Sequence, residues 1–281
     1  MWEGGSTLSA LHESRRRLAA AVLGAGAIML GGPVSAAQDD KFDGNWHFAV
    51  TPYLWLPYVD GTVKYDVGRG GSINAEVDPG SYLQSLDFAG MIIGEARKGE
   101  WSVFTDYIFL HFSGDRSPVR YVTDPTGNVE VPVSIAGSAS LTSNVWTLAG
   151  SYTAWRGESA FVDVFAGFRY LNFRSTLGWN FATPVRTLPP GGSATQTFNE
   201  WDGIVGFKGQ VRFGDGKWFM PYYADIGTGS NQWTWQALLG VGYRFGWGEL
   251  SLVVRSLSYY FDDDKLDLRM TGPALGATFN F

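Results

Sequence analysis

Residues 201–213, WDGIVGFKGQVRF, decide the fold. In an extended chain Trp201, Gly203, Val205, Phe207, Gly209, Val211 and Phe213 share one face, while Asp202, Gly206, Lys208, Gln210 and Arg212 dominate the other. Side chains alternate across a strand with period two, so this segment reads as a strand with one ring-bearing apolar face and one polar face. Soluble sandwiches also alternate, but their strands run to about five or six residues. Thirteen alternating residues instead suit the roughly 9–11 that a tilted strand needs to cross a bilayer.

The same pattern extends in both directions. In residues 232–245, Trp233, Trp235, Ala237, Leu239, Val241, Tyr243 and Phe245 oppose Gln232, Thr234, Gln236, Gly240, Gly242 and Arg244. In residues 160–174, Val162, Val164, Ala166, Phe168 and Tyr170 oppose Asp163, Gly167 and Arg169. Four short punctuations join such strands: Lys98-Gly99-Glu100-Trp101, Arg156-Gly157-Glu158-Ser159, Asp215-Gly216-Lys217-Trp218 and Trp247-Gly248-Glu249-Leu250. Each sets Gly, which takes the positive φ of a tight hairpin, beside charges that keep the tip in water. Between them lie longer segments, 58–83, 114–135 and 176–194, rich in Gly, Pro, Asp and Thr, and shorter ones near 228–230 and 262–267. Short turns alternating with long loops is the pattern of outer-membrane barrels, the short ends periplasmic and the long ends outside.

The expected fold is therefore all-β, an antiparallel up-and-down transmembrane β-barrel of about ten strands, with eight or twelve as alternatives. The strands are expected near 46–57, 84–97, 100–113, 136–155, 159–175, 195–213, 217–227, 231–246, 249–261 and 268–281. An even count puts both termini of the barrel on the periplasmic side. Within 58–83, Gly61 to Tyr65 and Ser72 to Val77 can form one more hairpin, either standing above the membrane or adding two spanning strands.

Composition agrees with this reading. Of 281 residues, 16% are aromatic and 17% charged, with 37 Gly and no Cys. Soluble domains carry about 25% charged residues. The mean hydropathy of −0.06 is too low for a bundle of transmembrane helices but suits alternation of apolar and polar positions. Without cysteine there is no disulfide framework and no thiolate metal site. Residues 1–37 are expected to be a cleaved signal peptide: Arg15, Arg16 and Arg17 flank an apolar core, 18–30, followed by the small residues of Val34-Ser35-Ala36-Ala37. Those 37 residues hold three Arg and two Glu, so 38–281 keep 18 basic and 25 acidic residues, a net −7. With no basic cluster, nucleic acid is excluded as a partner.

The chain ends in an apolar alternation, with Leu275, Ala277, Phe279 and Phe281 on one face. This resembles the last-strand signal read by the barrel assembly machinery, which becomes an implied partner beside outer-membrane lipid and lipopolysaccharide.

A wider set of tags resembles a family of uncharacterised proteobacterial outer-membrane barrel proteins. It comprises Pro52-Tyr53-Leu54-Trp55, Asp60-Gly61-Thr62-Val63, Leu86-Asp87-Phe88-Ala89 and Glu95-Ala96-Arg97-Lys98-Gly99-Glu100-Trp101. Asp106-Tyr107-Ile108, Trp201-Asp202, Ile204-Val205-Gly206, Asp225-Ile226-Gly227 with Ser230, and Trp235-Gln236 continue it. Gly242-Tyr243-Arg244-Phe245 and Gly272-Pro273-Ala274-Leu275-Gly276 complete it. The resemblance implies fold and outer-membrane location and brings no activity.

If the apolar faces meet lipid, the strand-borne charges point inward: Glu95, Arg97, Asp106, Asp163, Arg169, Asp202, Lys208, Arg212, Asp225, Arg244 and Arg255. Such a charge-balanced lumen is either a closed ion-pair network or a narrow passive channel. About eight strands leave room for side chains alone, whereas sixteen or more leave a water channel, and ten lie near the closed end. Trp46, Trp101, Trp155, Trp218, Trp233, Trp247 and Tyr260 fall near strand ends, where rings form interfacial girdles.

The candidate chemistry is thin. His111 and Ser113 should share the outward face near the extracellular end, the arrangement of a His-activated Ser nucleophile in lipid A deacylase-like barrels. The other histidines, His12 and His47, lie far from it in sequence, so neither a metal nor a cofactor is expected. Asp262-Asp263-Asp264 reads as a solvated loop, and no phosphate-cradling Gly-Lys loop appears.

Overall fold

The computed structural model describes residues 40–66, 72–76, 86–116, 119–123, 130–132, 135–181, 191–261 and 266–281. The expected signal segment 1–37, His12 and Asp262-Asp263-Asp264 lie outside them. A 3₁₀ turn, Asp40–Phe42, precedes β1 (Trp46–Trp55), β2 (Tyr58–Asp66), β3 (Ser72–Glu76), β4 (Leu86–Lys98) and β5 (Trp101–Arg116). Then follow β6 (Val119–Thr123), β7 (Glu130–Pro132), β8 (Ile135–Arg156), β9 (Ala160–Phe181) and β10 (Gly191–Phe213). The chain closes with β11 (Trp218–Thr228), β12 (Gln232–Arg244), β13 (Glu249–Phe261) and β14 (Leu266–Asn280).

Ten of these strands pair in the order β1-β4-β5-β8-β9-β10-β11-β12-β13-β14, and β1 pairs back on β14 to close an antiparallel barrel. The eight- and twelve-strand alternatives are not what the chain adopts. At the closing seam, Ala49 faces Asn280 and Trp55 faces Ala274. Phe48 and Phe281 exchange two main-chain hydrogen bonds of 3.1 and 2.8 Å, so the last residue is built into the wall.

The short turns are tight, as their sequences require. Lys98 faces Trp101 across the Gly99-Glu100 turn, and Gly99 takes φ +58°, a conformation that costs Gly nothing. Arg244 faces Glu249 across a turn closed by Phe245 N–H donating to Gly248 O at 2.7 Å.

The other end departs from expectation. Segment 176–194, read as a loop, is strand as far as Phe181 and again from Gly191, because β9 and β10 run on in register to Asn180–Gly191. Segment 114–135 holds β6 and β7, and 58–83 holds β2 and β3. The extra hairpin adds no spanning strands. After the Leu56-Pro57 break, β2 stays on the upper part of β14, with Val63 facing Leu266 and Tyr58 facing Thr271, and β3, β6 and β7 continue outward from it as a flap. Proline offers no N–H, and the Leu56 carbonyl passes 2.1 Å from where Gly272 would carry a Cβ, so any larger residue would block the crossing. Strands β8, β9 and β10 contain 22, 22 and 23 residues, against the roughly 9–11 needed to span. They rise above the membrane as a wall.

The faces divide as the alternation predicts. Phe48, Leu54, Val103, Val164, Val205, Ile226, Leu239, Leu252, Val254 and Leu275 are exposed on the outside. An apolar belt that encircles the molecule is far beyond the patches that soluble monomers carry and belongs against lipid. Rings rim it: Trp101–Tyr152 and Trp218–Tyr243 at 4.9 Å on the short-turn side, and Tyr170–Trp201 at 4.7 Å and Trp233–Tyr260 at 4.5 Å on the other. Trp46, Trp155 and Trp247 are also exposed, as girdle residues should be. Leu275 and Phe279 point outward on β14, with Ala277 half-buried on the same face, and Phe281 just beyond the strand is exposed at the periplasmic rim of the lumen.

Candidate functional site: the barrel lumen

Going up from the periplasmic end, the lumen is built in layers. Near the mouth, Arg97 pairs with Asp163 and Glu95, the latter at 3.0 Å, and Glu95 also receives Lys208 at 2.6 Å. Thr153 ties the cluster, accepting from Arg97 at 2.9 Å and donating to Asp163 at 2.6 Å. Two more predicted cations lie close to this end. Arg244 pairs with Glu249 at 2.8 Å, and Arg212 donates to the Glu158 carbonyl at 3.1 Å. The 3₁₀ turn rests here too, with the Phe42 ring 5.5 Å from Phe161 and 5.0 Å from the Arg97 guanidinium. Just outside the wall, hydrogen bonds from His47 first, and then from Asn45, hold the exposed Asp43 carboxyl down at about 2.

Above this cluster a ring stack crosses the barrel: Phe104, Phe165 and Tyr223, with Phe165 5.1 Å from each of the other two. A second charged layer follows. Arg255 pairs with Asp106 at 2.7 Å and donates to Tyr53 Oη and Gln236 Oε1, both at 2.8 Å, while Tyr53 donates to Asp106 at 2.7 Å. Beside it Arg169 pairs with Asp225 and donates to Thr234 at 3.2 Å and Thr147 at 3.3 Å. Asp202 accepts from Gln232 at 3.1 Å. Apart from the half-buried Tyr53 these groups are buried, where a charge without a partner is costly. Arg255 and Arg169 are matched by Asp106 and Asp225, whereas Asp202 meets only the neutral Gln232 amide, on one of its two oxygens.

The extracellular half of the lumen is apolar. Trp55, Ile108, Leu171, Phe173, Leu257 and Tyr259 are each at most 1% exposed and pack with Phe112, Phe261 and Met270 from opposite sides of the wall. Phe198, on β10, bridges them, 6.2 Å from Phe173 and 5.7 Å from Phe261. Trp55 lies at the junction of the two regimes: its indole is 5.1 Å from the Arg255 guanidinium and donates to Gly272 O at 3.3 Å. Below the second charged layer lies a chamber of about 600 Å³, lined by Asp106, Arg255, Gln236 and Tyr223 at its roof and by Lys41, Arg244, Glu249 and Phe281 toward the periplasm.

Of the eleven charges read as inward-facing, nine take part in these ion pairs, while Arg212 reaches the Glu158 carbonyl and Asp202 the Gln232 amide. Sequence reading missed Glu249, Tyr53, Tyr223, Gln232, Gln236 and Thr234. Alternation placed most of them on the inward face, but without charge nothing marked them as partners. His111 and Ser113 face outward, as expected. His111 Nδ1 lies 3.0 Å from Thr142 Oγ1 on β8. Among the described residues no group of three His, Asp or Glu side chains converges as metal ligands.

A scan against protein-family models and a search of curated proteins both return no match. Among solved structures, the chain is similar to the outer membrane protease OmpT from Escherichia coli at 10% identity and a TM-score of 0.52, covering 85% of this chain and 98% of that one. It also matches the translocator domain of the autotransporter NalP from Neisseria meningitidis, at 15% identity and a TM-score of 0.38 over 98% and 96% of the two chains. Identities this low speak to fold alone. The fold shared with OmpT, together with the encircling apolar belt and its paired girdles, makes the chain a closed ten-stranded β-barrel of outer-membrane type.

Proposed function

We propose that the protein is a non-enzymatic, non-conducting barrel of the outer membrane, a structural component whose lumen is occupied by its own side chains. The observation that carries this reading is the apolar layer: Ile108, Leu171 and Leu257 are each at most 1% exposed inside the barrel, which supports a filled lumen. The charge-balanced layers below it are knit by direct pairs, which favours a filled lumen over a passive channel. Signal-directed export, delivery through the barrel assembly machinery and membership of the resembling proteobacterial family go with this proposal. In planar bilayers the purified barrel is expected to give no discrete conductance steps. Reproducible steps from folded protein would overturn the reading in favour of a narrow channel.

A second reading, an enzyme acting on outer-leaflet lipid, is favoured by one observation: His111 and Ser113 stand on the outward face of β5 above the aromatic girdle. Lipid A incubated with the purified protein is expected to keep its acyl chains, with Ser113→Ala indistinguishable from the parent. Deacylation that disappears in Ser113→Ala would replace the structural reading with the enzymatic one.

A further inference from the structure

The outward face of β5, β8, β9 and β10 is ordered in rows by the strand register. Low on the wall, Val103, Gly150, Ala166 and Val205 lie side by side. Two rows higher the line is Tyr107, Trp146, Tyr170 and Trp201, four aromatic residues directly opposite one another. The next row is Asn144, Asn172 and Asn199, again in direct register. Above it stand His111, Thr142, Arg174 and Thr197.

The asparagines form one directional chain. Asn144 donates to Asn172 at 3.2 Å and Asn172 to Asn199 at 2.6 Å. The tyrosine hydroxyls below join it, Tyr107 donating to Asn144 at 2.9 Å and Tyr170 to Asn199 at 3.1 Å. Tyr107, Asn144, Trp146, Tyr170 and Asn172 line a shallow groove. Primary amides offer two donors and two acceptor lone pairs each, so the chain leaves hydrogen-bonding capacity at the edge of the bilayer after its internal bonds are made. Rings below present flat faces, and exposed Arg174 supplies a fixed cation above.

We propose that this sector binds a phosphorylated glycolipid of the outer leaflet. Its acyl chains lie on the apolar rows, its sugar meets the aromatic and asparagine rows, and its phosphate pairs with Arg174. The order of chemistry up the wall, from apolar to ring to amide to cation, matches that amphiphile from chain to sugar to phosphate. Phosphatidylglycerol has the phosphate but no sugar ring for the amides. The proposal rests on the outer-membrane placement and is independent of whether the lumen conducts.

The test is native mass spectrometry of the detergent-purified barrel incubated with diphosphorylated lipid A or, separately, phosphatidylglycerol at equal concentration. Lipid A should be retained about tenfold better than phosphatidylglycerol, the factor expected of one charge-assisted contact with its hydrogen bonds. Arg174→Ala and Asn172→Ala should each remove most of that preference, whereas Arg269→Ala, an exposed cation on β14, should not. Arg174 is exposed, so its variant tests binding without threatening the fold, and heat-modifiable migration verifies that each variant is folded. Equal retention of the two lipids, or an equal loss in Arg269→Ala, would overturn the proposal and leave the closed-barrel reading untouched.

Discussion

Arg169→Met is expected to lower the stability of the folded barrel by about 3–5 kcal/mol, because it leaves the Asp225 carboxylate desolvated without its cation. Both side chains are fully buried. What remains to Asp225 is the Tyr223 hydroxyl at 2.5 Å, a neutral donor in place of a guanidinium. Against the roughly 5–15 kcal/mol of a typical fold, a loss of this size is large. Urea unfolding in micelles, followed by tryptophan fluorescence, should show the midpoint moving down with little change of slope. The sharper check is the pair of changes Arg169→Met and Asp225→Leu together. An apolar pair in place of a buried ion pair is often neutral or better, so the double variant should regain most of what the single one loses. If it does not, the cost lies in packing and not in the orphaned charge.

Trp55→Ala is the second large effect, expected at about 3–5 kcal/mol, the cost of deleting a large buried ring from a core that relaxes only in part. Trp55 is 0% exposed. It separates the Arg255 layer from the apolar fill above, so the cavity would open beside a guanidinium that has lost its aromatic face. Trp101→Ala is the internal comparison. That ring is 67% exposed in the periplasmic girdle, and its removal should move the unfolding midpoint far less. Equal effects of the two would mean that the upper lumen is not tightly filled.

The spanning strands were legible because lipid on one side and polar groups on the other impose period two. The apolar upper lumen was not, because there both faces are apolar and the period fades. Along β5 the run Ile108-Phe109-Leu110-His111-Phe112 has Ile108, Leu110 and Phe112 buried inside while Phe109 belongs to the outer face. Ser258-Tyr259-Tyr260-Phe261 on β13 blurs in the same way. Above the membrane the opposite holds: water bathes the wall, so the paired ends of β9 and β10 alternate weakly and their Gly, Ser and Thr residues read as loop. Register was the other hidden quantity. Alternation gives the face of Asn144, Asn172 and Asn199, but only strand pairing shows that they stand in one row. The same limit hid the meeting of Arg255 with Asp106 and Tyr53, which are far apart in the chain.

The seam that joins Phe48 to Phe281 has a kinetic consequence. Every other strand pair in the ring forms between near neighbours in sequence or across one inserted loop, and its closure entropy is modest. The β1–β14 contact must gather almost the whole barrel sequence before its first bond is made, so it should be the last to form and the slowest. Until then β14 presents an open edge of unpaired N–H and C=O groups, the feature that invites pairing with a foreign strand. Whatever holds that edge during insertion must yield it one hydrogen bond at a time to β1.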